Sequence, residues 1–382
     1  MNTAKQNTQD AARRLHEWLV RDAYPLWATR GTDFVRGGFH ERLNGTEALD
    51  EPRRARVQPR QSASFARARE LGWSGDAARL VTHGLDYLFK YYRRDDGLFC
   101  TLIASDGTQI DHRALLYDHA FALFALAESH RVIESPAHYR EEALRLRSLI
   151  HQLLKPGGAA FGPGFETGLP LGMARCSNPH MHLLEACLAW QEAHGDATWQ
   201  SMADEIVELA LSRFIDPDAG ILREHFQSDW TPLPGLQGRI IEPGHHFEWA
   251  WLLMRWAGDS HPEVRPVALR LIEIGERYGV RDGVALNGLL DDFSVHDAGA
   301  RLWPQTERLK AAVRAAHVTG EERYWEMAAS AAEALLRYLE IKPPGLWYDR
   351  LTPDGRFLPE PAPASSFYHL VVAIAELKEV AA

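Results

Sequence analysis

The sequence predicts an all-α fold, an (α/α)6 barrel of six outer and six inner helices, and three observations carry that prediction. Two kinds of helix alternate along the chain, amphipathic and nearly all-apolar, six of each. Each nearly all-apolar segment is opened by a polar cluster. Taken at positions 60, 118, 180, 245, 305 and 369, these clusters recur at spacings of 58, 62, 65, 60 and 64 residues, one helix pair per step.

In chain order, residues 10–27 form the first amphipathic stretch, and 59–72 the first inner helix, more polar than most of its counterparts. Residues 76–93 lie outside again, and 119–130 (HAFALFALAESH) inside. The stripe Tyr139, Ala143, Leu146, Ile150 and Leu153 marks the third wet-faced helix, with Ser135 as its N-cap and Pro136 at its first position. The inner segment 182–190 (HLLEACLAW) precedes the outer 197–214, and 247–257 (FEWAWLLMRWA) precedes the stripe Val264, Val267, Leu271, Ile274 and Tyr278. A polar inner segment, 303–317, then the stripe Tyr324, Ala328, Ala331, Leu335 and Tyr338, and finally 367–377 (FYHLVVAIAEL) complete the series. Helices without a polar face have to be buried among others. An open solenoid of helix pairs needs polar end caps, and the apolar last helix is a poor cap, so the ring is expected to close. Strand-like pieces with turn signals, at 98–110 and 345–358, predict short β-hairpins in the loops at one end. The Gly/Pro-rich stretches 156–172, 231–244 and 342–363 are of loop length, which makes 1–382 one catalytic domain.

Composition narrows the function. A net charge of −10 argues against a nucleic-acid footprint, which needs a clustered basic surface. Cys100, Cys176 and Cys187 form no CxxC pair, so neither a disulfide framework nor a thiolate zinc site is indicated, and a reducing compartment fits. The N-terminus MNTAKQNTQDAARR lacks the apolar core of a signal peptide, and the longest purely apolar run, 120–127, is too short to cross a bilayer. The expectation is a cytoplasmic protein without membrane or nucleic-acid partners, monomeric or homodimeric, acting on a small molecule.

The polar clusters carry the chemistry. Pro59, Pro179, Pro243 and Pro304 belong in first helical turns, which places the residues around them at helix N-termini. Inner helices of a closed toroid run parallel, so Arg60, Asp118, Asn178, His180, His182, His245, Glu248, Trp303, Glu307 and His369 gather at one mouth. A ring of helix N-termini favours negative charge developing on a ligand and keeps histidines neutral enough to act as bases. An isolated histidine such as His119 or His246 is more ordinarily a structural hydrogen-bonding group. His180 and His182 do not share a helix face, and no HExxH-like motif occurs, so neither a metal nor another cofactor is expected. Trp249, Trp251 and Trp256 are expected in the core, with Trp303 free to stack on a sugar face.

Six segments in order also resemble the N-acylglucosamine 2-epimerase family of sugar epimerases and isomerases. They are RGGFHERLNGTEALD (36–50), RVQPRQSASFARA (56–68), NPHMHLLEA (178–186), GHHFEWAWLL (244–253), LWPQTERLKAA (302–312) and PASSFYHLVVAIAEL (363–377). The resemblance implies that His245 and His369 are the acid/base pair, that Glu248 orients His245, and that Arg60 contacts the reacting oxygens. It further implies that Tyr117, Asn178, His182, Trp303 and Glu307 line a monosaccharide site. NPHMHLLEA and PASSFYHL are most similar to the mannose isomerase branch. The expected reaction is therefore aldose–ketose isomerisation of D-mannose and D-fructose, or of D-lyxose and D-xylulose, through a cis-enediolate with His369 as the base at C2. A sugar 2-epimerase (mannose/glucose, cellobiose or N-acylglucosamine type) is the alternative, since both histidines are present. Glycoside hydrolysis, with Glu248 and Glu307 as its carboxylates, is a more distant one.

Overall fold

Alternating one-faced and all-apolar helices can bury every apolar stripe only by nesting one ring inside another, and the computed structural model has that arrangement. It describes residues 3–134, 136–155 and 163–380. The outer helices are α1 (Thr3–Trp18, prolonged by a π turn and a short helix to Thr29), α3 (Ala77–Tyr91), α5 (Ala137–Leu154), α7 (Ala197–Leu209), α9 (Arg265–Gly279) and α11 (Glu322–Tyr338). The inner ones are α2 (Val57–Ala66), α4 (Leu116–Glu128), α6 (Ser177–His194), α8 (Pro243–Ala257), α10 (Leu302–Thr319) and α12 (Phe367–Val380). Each inner helix packs on the next, and α12 packs back on α2, so the ring closes as expected.

Local sequence explains the ends. Asp76 and Asp196 cap α3 and α7, accepting the N–H groups of Arg79 and Thr198. Gly195 and Gly320, at φ 63° and 71°, end α6 and α10 in the left-handed conformation that glycine adopts without penalty. The predicted cap Ser135 lies outside the described residues. The first inner helix stops at Ala66 rather than running to 72, because Ala68 and Leu71 turn back on Phe65 and Arg67 through single backbone bonds. Trp249 and Trp251 are buried as expected, but Trp256 is only half-buried and donates to Asp204 at 2.9 Å.

The hairpins form where turn signals placed them, including Leu102–Ile103 with Gln109–Asp111. A repeated device ties them to the inner helices. His119, His180 and His246 each donate from Nδ1 to the carbonyl four residues back (Leu115, Cys176, Glu242), and each accepts at Nε2 a backbone N–H (Phe99, Phe165, Leu222). Gln305 does the same with Arg301 and Ala285, and Gln58 clasps both backbone groups of Phe39. These buried imidazoles are held neutral, burial being the main cause.

The seam between chain ends is aromatic. Trp347 stacks on Trp27 (4.9 Å between centroids) and on Phe367 (5.7 Å), and all three are fully buried. Trp347→Ala should therefore destabilise the fold by about 3–5 kcal/mol, read as a lower urea midpoint at unchanged slope. At the carbonyl ends of the inner helices a hollow of about 740 Å³ is lined by arginines, of which Arg131, Arg255 and Arg314 pair with glutamates.

Candidate active site

The N-termini of the inner helices meet around a cavity of about 550 Å³, within the range of roughly 300–1,000 Å³ usual for small-molecule sites. Arg60, Tyr117, Asn178, His182, His245, Glu248, Trp303 and His369 all line it. Eight of the nine residues expected at the site thus converge. Glu307 is not at the cavity surface but fully buried beneath it.

The helix register explains the convergence. Two residues beyond the clamping positions 58, 119, 180, 246 and 305 stand Arg60, Phe121, His182, Glu248 and Glu307, and His369 is their counterpart on α12. These six side chains point toward the barrel axis, and five of them are polar. Arg60 donates to the carbonyl of Ser365 at 3.1 Å and to the Tyr117 hydroxyl at 2.5 Å, with its guanidinium 4.0 Å from the Phe121 ring centre. Trp303 lies between the two candidate imidazoles, 5.0 Å from His245 and 5.8 Å from His369 between ring centroids. Gly244 makes room for it, since a Cβ there would come within 2.6 Å of the indole. Asn178 Oδ1 is buried without a protein partner, a free acceptor at the cavity.

The two imidazoles differ in charge. His369 Nδ1 donates to Glu307 Oε1 at 2.8 Å, leaving Nε2 bare. Burial, reinforced by Arg60 and Lys310, holds its pKa well below the usual value, so it is neutral. His245 Nδ1 donates to Glu224 Oε2 at 2.9 Å, with Glu242 at 4.0 Å. Burial alone would lower its pKa, but Glu224 and Glu242 outweigh burial and lift it to about 10. His245 is thus an imidazolium, contrary to the expectation that the helix N-termini keep both histidines neutral. Two carboxylates within 4 Å are stronger than the partial charges of a helix end.

Two carboxylate placements also differ from the expectation. Glu248 does not orient His245; Glu224, a residue the sequence reading missed, does. Glu224 precedes the hairpin strand His225–Phe226, outside any helical periodicity, and donors from Ser177 and the Glu242 backbone fix it. Glu307, expected to line the site, lies beneath the cavity surface and is the hydrogen-bond partner of His369. Glu248 faces the axis, 3.6 Å from His182, and both its oxygens lack hydrogen-bond donors. Burial and the neighbouring Glu307 push its pKa well above the carboxylate range, which makes it a neutral acid.

Two groups of donors, His182–Glu185–Glu248 and Glu248–Glu307–His369, bring their atoms within 4.8 Å and could hold a cation. The second already receives one from the chain, since Lys310 Nζ is 2.6 Å from Glu307 Oε2. The Glu248–Glu307 pair suits hydrolysis poorly. Glu307 is buried beneath the cavity and is taken up by His369 and Lys310.

The profile of the N-acylglucosamine 2-epimerase (GlcNAc 2-epimerase) family matches residues 37–373. The chain belongs to this family. Among its relatives, "Mannose-6-phosphate isomerase" of Rhizobium meliloti (strain 1021) is 46% identical over 96% of this chain and 97% of its own length. "D-mannose isomerase" of Pseudomonas cannabina pv. alisalensis is 30% identical over 81% and 79%. The fold of cellobiose 2-epimerase from Spirochaeta thermophila DSM 6192 superposes with a TM-score of 0.86 at 21% identity, covering 100% of this chain and 99% of that one. Membership makes this family member a sugar isomerase or epimerase, and its barrel is the one family relatives share. Among the described residues, no helix is long and apolar enough to cross a membrane.

Proposed function

We propose that the cavity interconverts D-mannose and D-fructose, and D-lyxose and D-xylulose as the related pair, without metal. The observation that carries this reading is a neutral and a charged imidazole facing one cavity across Trp303. A base and an acid are what ring opening and carbon-acid chemistry require together.

His245 gives its proton to the ring oxygen O5 as the C1–O5 bond breaks, and recovers one from O1, leaving the open aldose. His369 Nε2 then takes the C2 proton; the C–H electrons form C1=C2 and the carbonyl electrons move to O1. Arg60 and the inner-helix N-termini stabilise the resulting cis-enediolate, whose charge exists only along the reaction path. The proton on O2 passes to O1, C2=O forms, and His369 returns its proton to C1. One base on one face suffices. Asn178, His182, Tyr117 and Trp303 would bind the hydroxyls and the sugar face.

The names of the two isomerase relatives support isomerisation over epimerisation. Epimerisation would need a proton delivered to the opposite face of C2, a second task that would fall to the charged His245. A free sugar fits better than a phosphorylated one because the rim guanidiniums are already matched, Arg54 by Glu41, Arg56 by Asp118 and Arg301 by Glu242.

Incubation with D-mannose in deuterated water, followed by NMR, tests the reading. Fructose bearing deuterium at C1 is the expected result. Glucose labelled at C2 would mark an epimerase, and turnover confined to D-mannose 6-phosphate would overturn the choice of substrate.

A further inference from the structure

Lys310 lies inside the barrel on α10 and has no exposed surface. Its ammonium is 2.6 Å from Glu307 Oε2 and 3.7 Å above the Trp251 ring. A lysine is rarely placed so deep, because its charge loses all hydration there and must be repaid by a partner. Its partner is the carboxylate that accepts the His369 proton at 2.8 Å. The three groups form a line from the interior to the cavity: ammonium, carboxylate, imidazole.

We propose that Lys310 is a positioning residue, which by keeping Glu307 a carboxylate fixes the Nδ1–H tautomer of His369 and leaves Nε2 as the base. The proposal rests on the assignment of His369 above. Every element around this line bears on it. Glu185 and His182 face it from α6, the charged His245 with Glu248 and Trp251 from α8, Tyr368 from α12 and Arg60 from α2. Tyr368 donates to Glu185, and Glu248 is a neutral acid, so the nest holds the Glu185 and Glu307 anions against one lysine. Burial pushes Glu307 upward and Lys310 is the chief influence drawing it back.

Removing the ammonium has one sign by either route. If Glu307 takes up a proton, it no longer fixes the His369 tautomer, and activity waits for a higher pH to ionise it. If Glu307 stays charged, His369 loses a repelling cation and its own pKa rises, so a higher pH is needed to bare Nε2. Either way the acidic limb of the kcat profile moves up.

The test is kcat and KM against pH for wild type, Lys310→Met and Lys310→Gln, with circular dichroism melting to establish folding. The acidic limb should rise by about one to two pH units in Lys310→Met, a loss of kcat of about 10- to 100-fold below the limb, with KM little changed. Lys310→Gln keeps a neutral polar side chain beside Glu307 and is the variant to read if Lys310→Met does not fold; its limb should move the same way. A uniform fall in kcat with the limb unmoved would overturn the proposal, as would ¹⁵N NMR of the wild type showing Nε2–H on His369 near neutral pH. Deuterium exchange at C2 that survives in His369→Ala would instead sink the base assignment, and is read separately.

Discussion

Replacing His369 by alanine is expected to lower kcat for mannose–fructose interconversion by about 10²- to 10⁴-fold and to abolish exchange of the C2 hydrogen with solvent. The reasoning is geometric before it is electrostatic. Nδ1 is committed to Glu307 at 2.8 Å, so Nε2 is the nitrogen left for the cavity. Burial, Arg60 and Lys310 keep the ring neutral, so the base needs no prior deprotonation. Glu307 then waits behind it to accept the positive charge that proton abstraction creates. The substitution leaves Glu307 paired with Lys310, and the fold should survive it. Binding should be affected far less than turnover, because Arg60, Tyr117, Asn178 and Trp303 remain in place. Isomerase turnover within a fewfold of wild type would show that the base lies elsewhere.

The barrel was legible because burial is written into composition. An eight-residue run such as AFALFALA leaves a helix no wet face, and four such helices, with two more polar ones in equivalent places, are buried most fully in a closed ring. The gathering of the site was legible for a related reason, since first-turn prolines mark helix starts. The register was less so. The positions 60, 118, 180, 245, 305 and 369 mix three kinds of residue: those at 180 and 305 clasp the preceding hairpin, those at 60 and 369 face the axis, and those at 118 and 245 stand one place before a clamp. His180 belongs to the first kind, with His119 and His246, and is a structural clamp; Arg60, Glu248 and His369 belong to the second. Partnerships between distant segments were hidden altogether. His245 and Glu248 do share a helix face, but Nδ1 of His245 turns the other way, to a glutamate 21 residues upstream on a hairpin. Glu307 and His369 are 62 residues apart, and nothing local tells a carboxylate that orients an imidazole from one that binds a hydroxyl.

The missed residue yields the other large effect. In Glu224→Gln, His245 keeps a hydrogen-bond acceptor at Nδ1 but loses its nearest anion. Burial then acts against Glu242 alone, and the pKa of the imidazole, about 10 in the wild type, falls. As the proposed acid of ring opening His245 has to carry a proton, so its ionisation is expected to set the basic limb of kcat, and that limb should move down by about one to three pH units. Activity at pH 6 should stay near that of the wild type while activity at pH 9 falls by about tenfold or more. The comparison with Lys310→Met is then decisive, because the two substitutions act on opposite limbs through different histidines. Loss of Glu224 should lower the alkaline edge and leave the acidic one in place; loss of Lys310 should do the reverse. If Glu224→Gln instead raised the acidic edge or left the basic one unmoved, His245 would not be the acid, and the division of labour between the two imidazoles would have to be inverted.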